Sequence, residues 1–329
     1  MTNTCFSEGD YIQTIDGFFF AVKGSRHFDD MVIAILRYIP DPKGERVLEG
    51  RNYRRVYDVD ATTEYLRENY PHYLNYVDWI DRELQSVLTS HIKKIYNPKV
   101  RLAYILKKPK SVLEKKIADF IEALSFCSEV STSYFGVSGS LLIGAENENS
   151  DIDINVYGEN VGRRVYDALT ILRSSESWIS SHDFNSVERV LKSRWGATGL
   201  ELAQLREVEC SKVLHGLVQG VEYFIRLLTD DDQSKSTPIG KARITGRIID
   251  DSKSIYTPCF YTIENAEVEF PIKCMVSELK SYRGKFTEQV KKGDIIEAYG
   301  TLERVSGDDD IWYRLILGQI SDYLLSIMG

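Results

Sequence analysis

The chain is poor in cysteine and contains no long apolar run. Its 329 residues include 5 cysteines, an odd number with no Cys-x-x-Cys spacing. This usage argues against a zinc ribbon and against a disulfide framework, and it favours a reducing cytoplasm. No apolar run approaches the roughly 20 residues that a membrane-spanning helix needs. The start, MTNTCFSEGD, lacks the features of a secretory signal. We therefore expect a cytoplasmic protein with no membrane partner.

Acidic residues outnumber basic ones, yet one segment is strongly basic. The formal net charge is −8, which argues against a protein coated in nucleic acid. Residues 90–117 nevertheless carry nine lysines and arginines and one acidic residue. A local positive field attracts polyphosphate or a nucleic-acid backbone, and the alternative is a solvated basic face on a connector helix. Lys107, Lys108 and Lys110 are the candidate nucleic-acid contacts in this segment.

The segment Phe135–Gly158, FGVSGSLLIGAENENSDIDINVYG, carries the most specific motif of the chain. An apolar run leads into Gly139-Ser140, ten residues follow, and Asp151-Ile-Asp153 then opens a second apolar run. Alternate residues of a β-strand project from the same face, so both carboxylates would point the same way. Such a pair suits Mg²⁺, which prefers oxygen ligands. A glycine at a strand-to-helix turn also lets backbone N–H groups approach a phosphate.

This combination resembles the signature of the DNA polymerase beta superfamily of nucleotidyltransferases: apolar-Gly-[Gly/Ser], about ten residues, then Asp-apolar-[Asp/Glu]. Over most of its length the chain looks like an archaeal family of predicted nucleotidyltransferases. The resemblance implies that Asp151 and Asp153 bind two Mg²⁺ ions, for which Mn²⁺ can substitute. It further implies that Gly139 and Ser140 hold the phosphates of an incoming NTP. Ser150, the third predicted nucleotide-binding residue, would fix the turn before the carboxylates.

The superfamily resemblance also implies a third acidic residue on a neighbouring strand. Gly220–Leu228 is rich in β-branched and aromatic residues and predicts a strand whose one acidic residue is Glu222. We expect Glu222 to complete the metal site and to help deprotonate the acceptor. The alternative is a solvated edge position paired with Arg226. The competing acidic residues lie in segments that are typical of loops or helices: Asp183, Glu188, Glu201 and Glu209.

The sequence predicts an α+β multidomain fold. Residues 1–81 form a small α+β domain, 82–110 a basic helical connector, and 111–232 a polymerase-beta-like mixed sheet with helices. Ser111 and Glu114 give the core a capping-box start. Residues 238–329 contain five short strands with an insert after the third, the plan of an OB-like β-barrel. Arg283 and Lys285, between two aromatic residues, suit contacts to nucleic acid.

These features predict a metal-dependent nucleotidyltransferase that moves NMP from an NTP to an acceptor hydroxyl and releases pyrophosphate. RNA is the favoured acceptor because of the basic segment and the barrel. Two alternatives stay open: nucleotidylation of a protein hydroxyl, and a non-catalytic nucleic-acid- or protein-binding factor that keeps the fold. The sequence does not indicate which NTP is used or what oligomer forms.

Overall fold

A computed structural model describes residues 6–183, 186–307 and 310–328. Within these residues the strands form three sheets, and the helices gather mainly around the second. The fold is thus of the mixed α+β class. No helix of the described residues is long and apolar enough to cross a membrane.

The first sheet belongs to the N-terminal part of the chain. Its strand order is β4-β5-β3-β2-β1-β8, with β7 also paired to β3 and β6 to β7. One helix, α1 (Val59–Asn69), covers this sheet and is capped by the Asp58 carboxylate. The strands are β1 (Tyr11–Thr14), β2 (Phe19–Val22), β3 (Met31–Pro40), β4 (Arg46–Leu48), β5 (Arg51–Arg55), β6 (Leu74–Val77), β7 (Arg82–Leu88) and β8 (Ile92–Tyr96).

The predicted helical connector over 82–110 is wrong in its first half. Residues 82–88 and 92–96 are strands β7 and β8 of the N-terminal sheet, and helix α2 (Pro98–Lys107) begins only after them. Asn97 caps that helix, and Pro98 at the first helical position suits its start. Strand β8 was not predicted from the sequence, because two lysines interrupt its apolar pattern.

The second sheet has the order β11-β12-β13-β10-β9, with β15 beside β13. Its strands are β9 (Phe135–Val137), β10 (Ile152–Tyr157), β11 (Ile179–Ser180), β12 (His215–Val218), β13 (Val221–Leu228) and β15 (Tyr256–Thr257). The helices are α3 (Val112–Ser128), α4 (Gly139–Ile143), α5 (Glu159–Ser175), α6 (Val187–Trp195) and α7 (Ala203–Ser211). Ser111 caps α3 as predicted. Helices α3 and α5 bury their apolar stripes against one face of this sheet, which leaves the other face for function.

The third sheet closes on itself. Its order is β14-β16-β17-β19-β18-β20, and β14 also pairs with β18. The strands are β14 (Lys235–Asp250), β16 (Cys259–Val268), β17 (Cys274–Ser281), β18 (Ile295–Ser306), β19 (Ile311–Leu317) and β20 (Tyr323–Met328). The predicted insert after the third strand is a short 3-10 turn, Gly284–Phe286. Strand β20 was not predicted, and α6 and α7 pack into the core of this sheet rather than that of the second.

Candidate active site

Strand β10, which lies between β13 and β9, carries the Asp151-Ile-Asp153 motif at its start. Ile152 and Ile154 are fully buried beneath helices α3 and α5. The alternation of a strand therefore sends Asp153 to the opposite face. Asp151 immediately precedes the strand and is half-buried, whereas Asp153 is only 8% exposed. The predicted pairing of two carboxylates on one face of a strand agrees with this placement.

Gly139 contacts the second of these carboxylates. It has φ +65°, and a Cβ atom at this position would lie 2.1 Å from Asp153 Oδ2. Only glycine adopts that backbone without penalty and leaves room for the carboxylate. The Ser138 N–H also donates to the Asp153 carbonyl oxygen at 2.9 Å. The start of α4 is thus held directly against Asp153.

The two serines of the motif hold the intervening loop. The Ser140 hydroxyl lies 3.2 Å from the Ser150 hydroxyl, and both residues are buried. The Ser150 oxygen accepts from Asn147 N–H at 2.9 Å and from Arg46 Nη1 at 3.1 Å. Arg46 also donates to the Ala145 carbonyl at 3.0 Å. Ser150 therefore fixes the turn as expected, while the Ser140 hydroxyl is engaged within the loop.

Three arginines lie near enough to the Asp153 carboxylate for their charges to act on it. Arg226 on β13 lies two residues beyond the parallel-strand partner of Asp153, and its Nη2 is 3.7 Å from Asp153 Oδ1. Burial, and next the charge of Asp151, raise the pKa of Asp153 to about 6, against the opposing effect of Arg226, Arg55 and Arg37. Arg37 and Arg55 come from the N-terminal sheet, and no motif in the sequence pointed to them or to Arg46.

The Glu222 carboxylate does not form a three-carboxylate cluster with Asp151 and Asp153. Its neighbour Tyr223 pairs in register with Ile152, so Glu222 and Asp151 precede paired residues and share a face of the sheet. The Glu222 carboxylate instead accepts a hydrogen bond from Arg189 of α6 at 3.0 Å. Within the described part of the chain, no three His, Cys, Asp or Glu residues form a metal-binding group. The expected convergence of three carboxylates is absent there, and Arg226 pairs with Asp153 rather than with Glu222.

The competing acidic residues have structural partners. Glu209 is 1% exposed and receives hydrogen bonds from Lys212 Nζ at 2.8 Å and Trp195 Nε1 at 3.1 Å. Glu188 forms an ion pair with Arg206. Asp183 accepts from the Ser186 N–H at the start of α6. Glu201 is exposed. These contacts explain each carboxylate except that of Glu201 without a metal.

The predicted nucleic-acid contacts divide into two groups. Lys107, Lys108 and Lys110 are exposed at and beyond the end of α2, and Arg283 is exposed on the barrel, with Nη1 3.2 Å from the Gly318 carbonyl. Lys285 is buried, and its Nζ donates to the Asp322 carbonyl at 3.0 Å. Burial, and next the charge of Arg283, lower the pKa of Lys285 to about 8. The prediction for Lys285 is wrong, because its ammonium group is part of the interior.

Two neighbouring units cover the carboxylate face of the second sheet. A Cβ atom at Gly9 of the N-terminal unit would lie 2.0 Å from Asn155 Nδ2, and one at Gly284 of the barrel would lie 2.2 Å from Phe224 Cζ. Asn155 and Phe224 both belong to the Asp153 face of the sheet. The face that carries Asp153 is thus approached by residues of the N-terminal unit and of the unit that holds the third sheet, and this junction is called the cleft below.

The fold and site together define a mixed α+β protein with an acidic pair on the face of the second sheet that the two neighbouring units approach. No protein-family model matches the chain. The chain is 27% identical over 326 residues to an uncharacterized protein of Methanocaldococcus jannaschii, with 94% of each chain covered. The similarity therefore extends through all three sheets.

Proposed function

We propose that this protein is a metal-dependent nucleotidyltransferase that transfers NMP from an NTP to an acceptor hydroxyl. The observation that carries the proposal is the contact between Gly139 and the Asp153 carboxylate. The motif Gly139-Ser140…Asp151-Ile-Asp153 resembles the polymerase beta superfamily signature, in which the glycine turn and the carboxylates act on one nucleotide. Their close approach in this cleft is what that shared role needs.

The two aspartates suit a divalent cation. Mg²⁺ is commonly bound by one or two protein carboxylates, with water and substrate phosphates as further ligands. A buried carboxylate beside a second one is costly to ionise, and a cation held by Asp151 and Asp153 would relieve that cost. Mg²⁺ or Mn²⁺ bound there would neutralise negative charge on the nucleotide phosphates. The second metal ion of the predicted site would be bound with the help of Glu222 only if its carboxylate gave up the hydrogen bond from Arg189.

The strand arrangement supports the assignment of a polymerase-beta-like core and an OB-like barrel. The parallel pairing of β10 with β13, and the antiparallel pairing of β9, suit the mixed sheet of a polymerase-beta-like core. In the third sheet the circuit β14-β16-β17-β19-β18, with β17 and β19 parallel, suits a five-stranded OB-like barrel. Strand β20 then adds to its edge. Fold analogy of this kind supports a reaction class and not a substrate.

The protein contributes orientation and charge to the proposed reaction. The acceptor oxygen forms a bond to the α-phosphorus, the bond from that phosphorus to the bridging oxygen breaks, and pyrophosphate leaves. The acceptor hydroxyl proton passes to a base in solvent. Gly139 leaves room for the Asp153 carboxylate, and the loop held by Ser140, Ser150 and Arg46 keeps both aspartates in place. Fixed charges that need no rearrangement lower the barrier most effectively.

RNA remains the favoured acceptor. An exposed basic surface is formed by Lys107, Lys108 and Lys110. Lys285 is buried and cannot contact RNA, which weakens the argument that the barrel binds RNA. A protein hydroxyl is the second candidate acceptor. The third alternative, a non-catalytic binding factor, is not favoured, because such a protein has no need for two neighbouring carboxylates that repel each other.

The test is to incubate the protein with each α-labelled NTP, Mg²⁺ or Mn²⁺ and a cellular extract. We expect covalent label on an RNA fraction, identified by its loss with ribonuclease. Asp153→Asn should abolish this label, and Asp29→Asn is its matched control, because Asp29 is exposed. Label on protease-sensitive material would identify a protein acceptor. No label with any NTP would contradict the proposal.

A further inference from the structure

The N-terminal sheet packs against helix α4, which forms one side of the cleft. One of its faces carries Tyr11, Phe19 and Tyr38, which share a buried cluster with Leu142 and Ile143 of α4. Helix α4 begins at Gly139, the residue in contact with Asp153. The apolar contact therefore fixes strands β1 and β3 next to the carboxylates.

Two arginines of this sheet extend into the cleft. Phe19 pairs with Tyr38 while Phe20 pairs with Leu36, so Arg37 is the extra residue of a β-bulge in β3. A bulge redirects a side chain relative to the regular strand. Arg55 pairs in register with Tyr38, and paired residues of antiparallel strands share a face. Arg55 therefore lies on the face that contacts α4.

Among the described residues, these guanidinium groups are not within ion-pair distance of a carboxylate, although, against the effect of burial, the charges of Tyr38, Tyr57, Asp151 and Asp153 raise the pKa of Arg55. Within the described residues, the side chains of Arg37 and Arg55 form no hydrogen bond and no ion pair, and Arg55 stacks over Tyr57 at 4.6 Å. Both are half-buried. By contrast, the neighbouring Arg54 donates to the Asp41 carboxylate at 3.1 Å. None of their nitrogen atoms is among the buried atoms that lack a hydrogen-bond partner, so these donors stay accessible to an anion that enters this part of the cleft.

The charges of the cleft show where that anion would lie. Burial lowers the pKa of Arg37, and the positive charges of Arg226 and Arg55 contribute to the decrease. Arg226 lies beside Asp153. Three positive groups thus converge on two aspartates, and a cation bound by those aspartates would increase the positive excess. A compact, highly charged anion fits this arrangement better than an extended nucleic-acid backbone does.

We propose that Arg37, Arg55 and Arg226 bind the polyphosphate chain of a nucleoside triphosphate. The N-terminal domain is then a part of the active site and not a separate binding module. Guanidinium groups suit this role because they donate paired hydrogen bonds to phosphate oxygens. This inference rests on the proposed nucleotidyltransferase function, and it assigns the substrate contacts that the sequence motif leaves open.

The test is calorimetric binding of inorganic tripolyphosphate to the full chain in EDTA, at low salt. We expect Arg37→Gln and Arg55→Gln each to weaken binding by about tenfold or more, because each removes hydrogen bonds to a charged group. Arg54→Gln is the matched control, adjacent in the sequence but paired to Asp41, and should bind as the wild type does. Arg55→Lys should be intermediate, since it retains the charge and loses the planar fork.

The outcomes separate this inference from the proposed function. Equal affinity of Arg37→Gln, Arg55→Gln and Arg54→Gln overturns the inference even if the protein transfers nucleotides. The inference also fails if the variants weaken only binding of a single-stranded RNA without a terminal phosphate, or if wild type binds no tripolyphosphate. Arginine-dependent binding together with no transfer activity supports the anion site and counts against the proposed function. Circular dichroism and thermal unfolding verify folding, and Arg55→Gln alone is decisive if Arg37→Gln does not fold.

Discussion

At the scale of single residues, Gly139 is the position on which the proposed transfer depends most directly. An alanine there would place its Cβ 2.1 Å from Asp153 Oδ2 at φ +65°. We expect Gly139→Ala to abolish transfer and to displace the Asp153 carboxylate. Gly50→Ala is the control, because Gly50 has φ +77° but no atom within 4 Å of the added Cβ. It should cost only the backbone penalty, about 1 kcal/mol. Transfer assays and thermal unfolding measure both effects, and an active Gly139→Ala enzyme would contradict this placement.

A second residue-scale prediction concerns Asp153. Burial, and next Asp151, raise its pKa from the ordinary 3.8 to about 6. Its contribution to stability is therefore fully present below pH 3.8 and is lost as the pH rises through about 6. In EDTA at pH 7, Asp153→Asn should increase the free energy of unfolding by on the order of 1–3 kcal/mol. The gain should disappear near pH 4.

Urea unfolding at both pH values measures this difference. Asp29→Asn, at an exposed position, should change the stability little at either pH. A variant of Asp153 that is less stable than wild type at pH 7 would show that the ion pair with Arg226 outweighs the cost of burial.

At the scale of elements, strand β4 supports the loop between α4 and β10 through Arg46. Its Nη1 donates to the Ala145 carbonyl and the Ser150 hydroxyl, and it is buried. Arg46→Ala should remove the side-chain donor from the Ala145 carbonyl and one of the donors from the Ser150 hydroxyl, and lower the free energy of unfolding by about 1–3 kcal/mol. Amide hydrogen exchange over residues 145–150 should accelerate, while the exposed control Arg54→Ala should leave it unchanged. Unaltered exchange in Arg46→Ala would exclude this support.

Part of this arrangement could be predicted from the sequence because it is local. The alternation around Asp151 and Asp153, the Ser111 cap of α3 and strand β13 each depend on neighbouring residues. The proximity of Arg37 and Arg55 to Asp153 could not be predicted, since it arises only from the packing of β3 and β5 against α4. Lys285 shows the opposite failure: its residue type suggested exposure, yet the turn between β17 and β18 directs it inward, where Asp322 and Arg194 supply carbonyl oxygens.

At the scale of the whole molecule, the basic surface after α2 tests the choice of RNA as acceptor. The logarithm of single-stranded RNA affinity should fall with the logarithm of salt by about 0.7 per phosphate neutralised. Neutral substitutions at Lys107, Lys108 and Lys110 should flatten that slope and leave metal binding unchanged. Lys285→Gln should instead lower the stability of the barrel, because Lys285 is buried. Fluorescence titrations across salt concentrations measure the slope, and salt-independent binding would favour a protein acceptor.

The proposed transfer of a nucleotide with release of pyrophosphate depends on Asp151 and Asp153 together. The direct measurement follows α-label transfer and pyrophosphate in one reaction, with wild type and the double variant Asp151→Asn, Asp153→Asn compared. Wild type should yield one pyrophosphate per nucleotide transferred, in a reaction that requires Mg²⁺ or Mn²⁺, and the folded double variant should yield neither product. Equal activity of the double variant would contradict the proposed function.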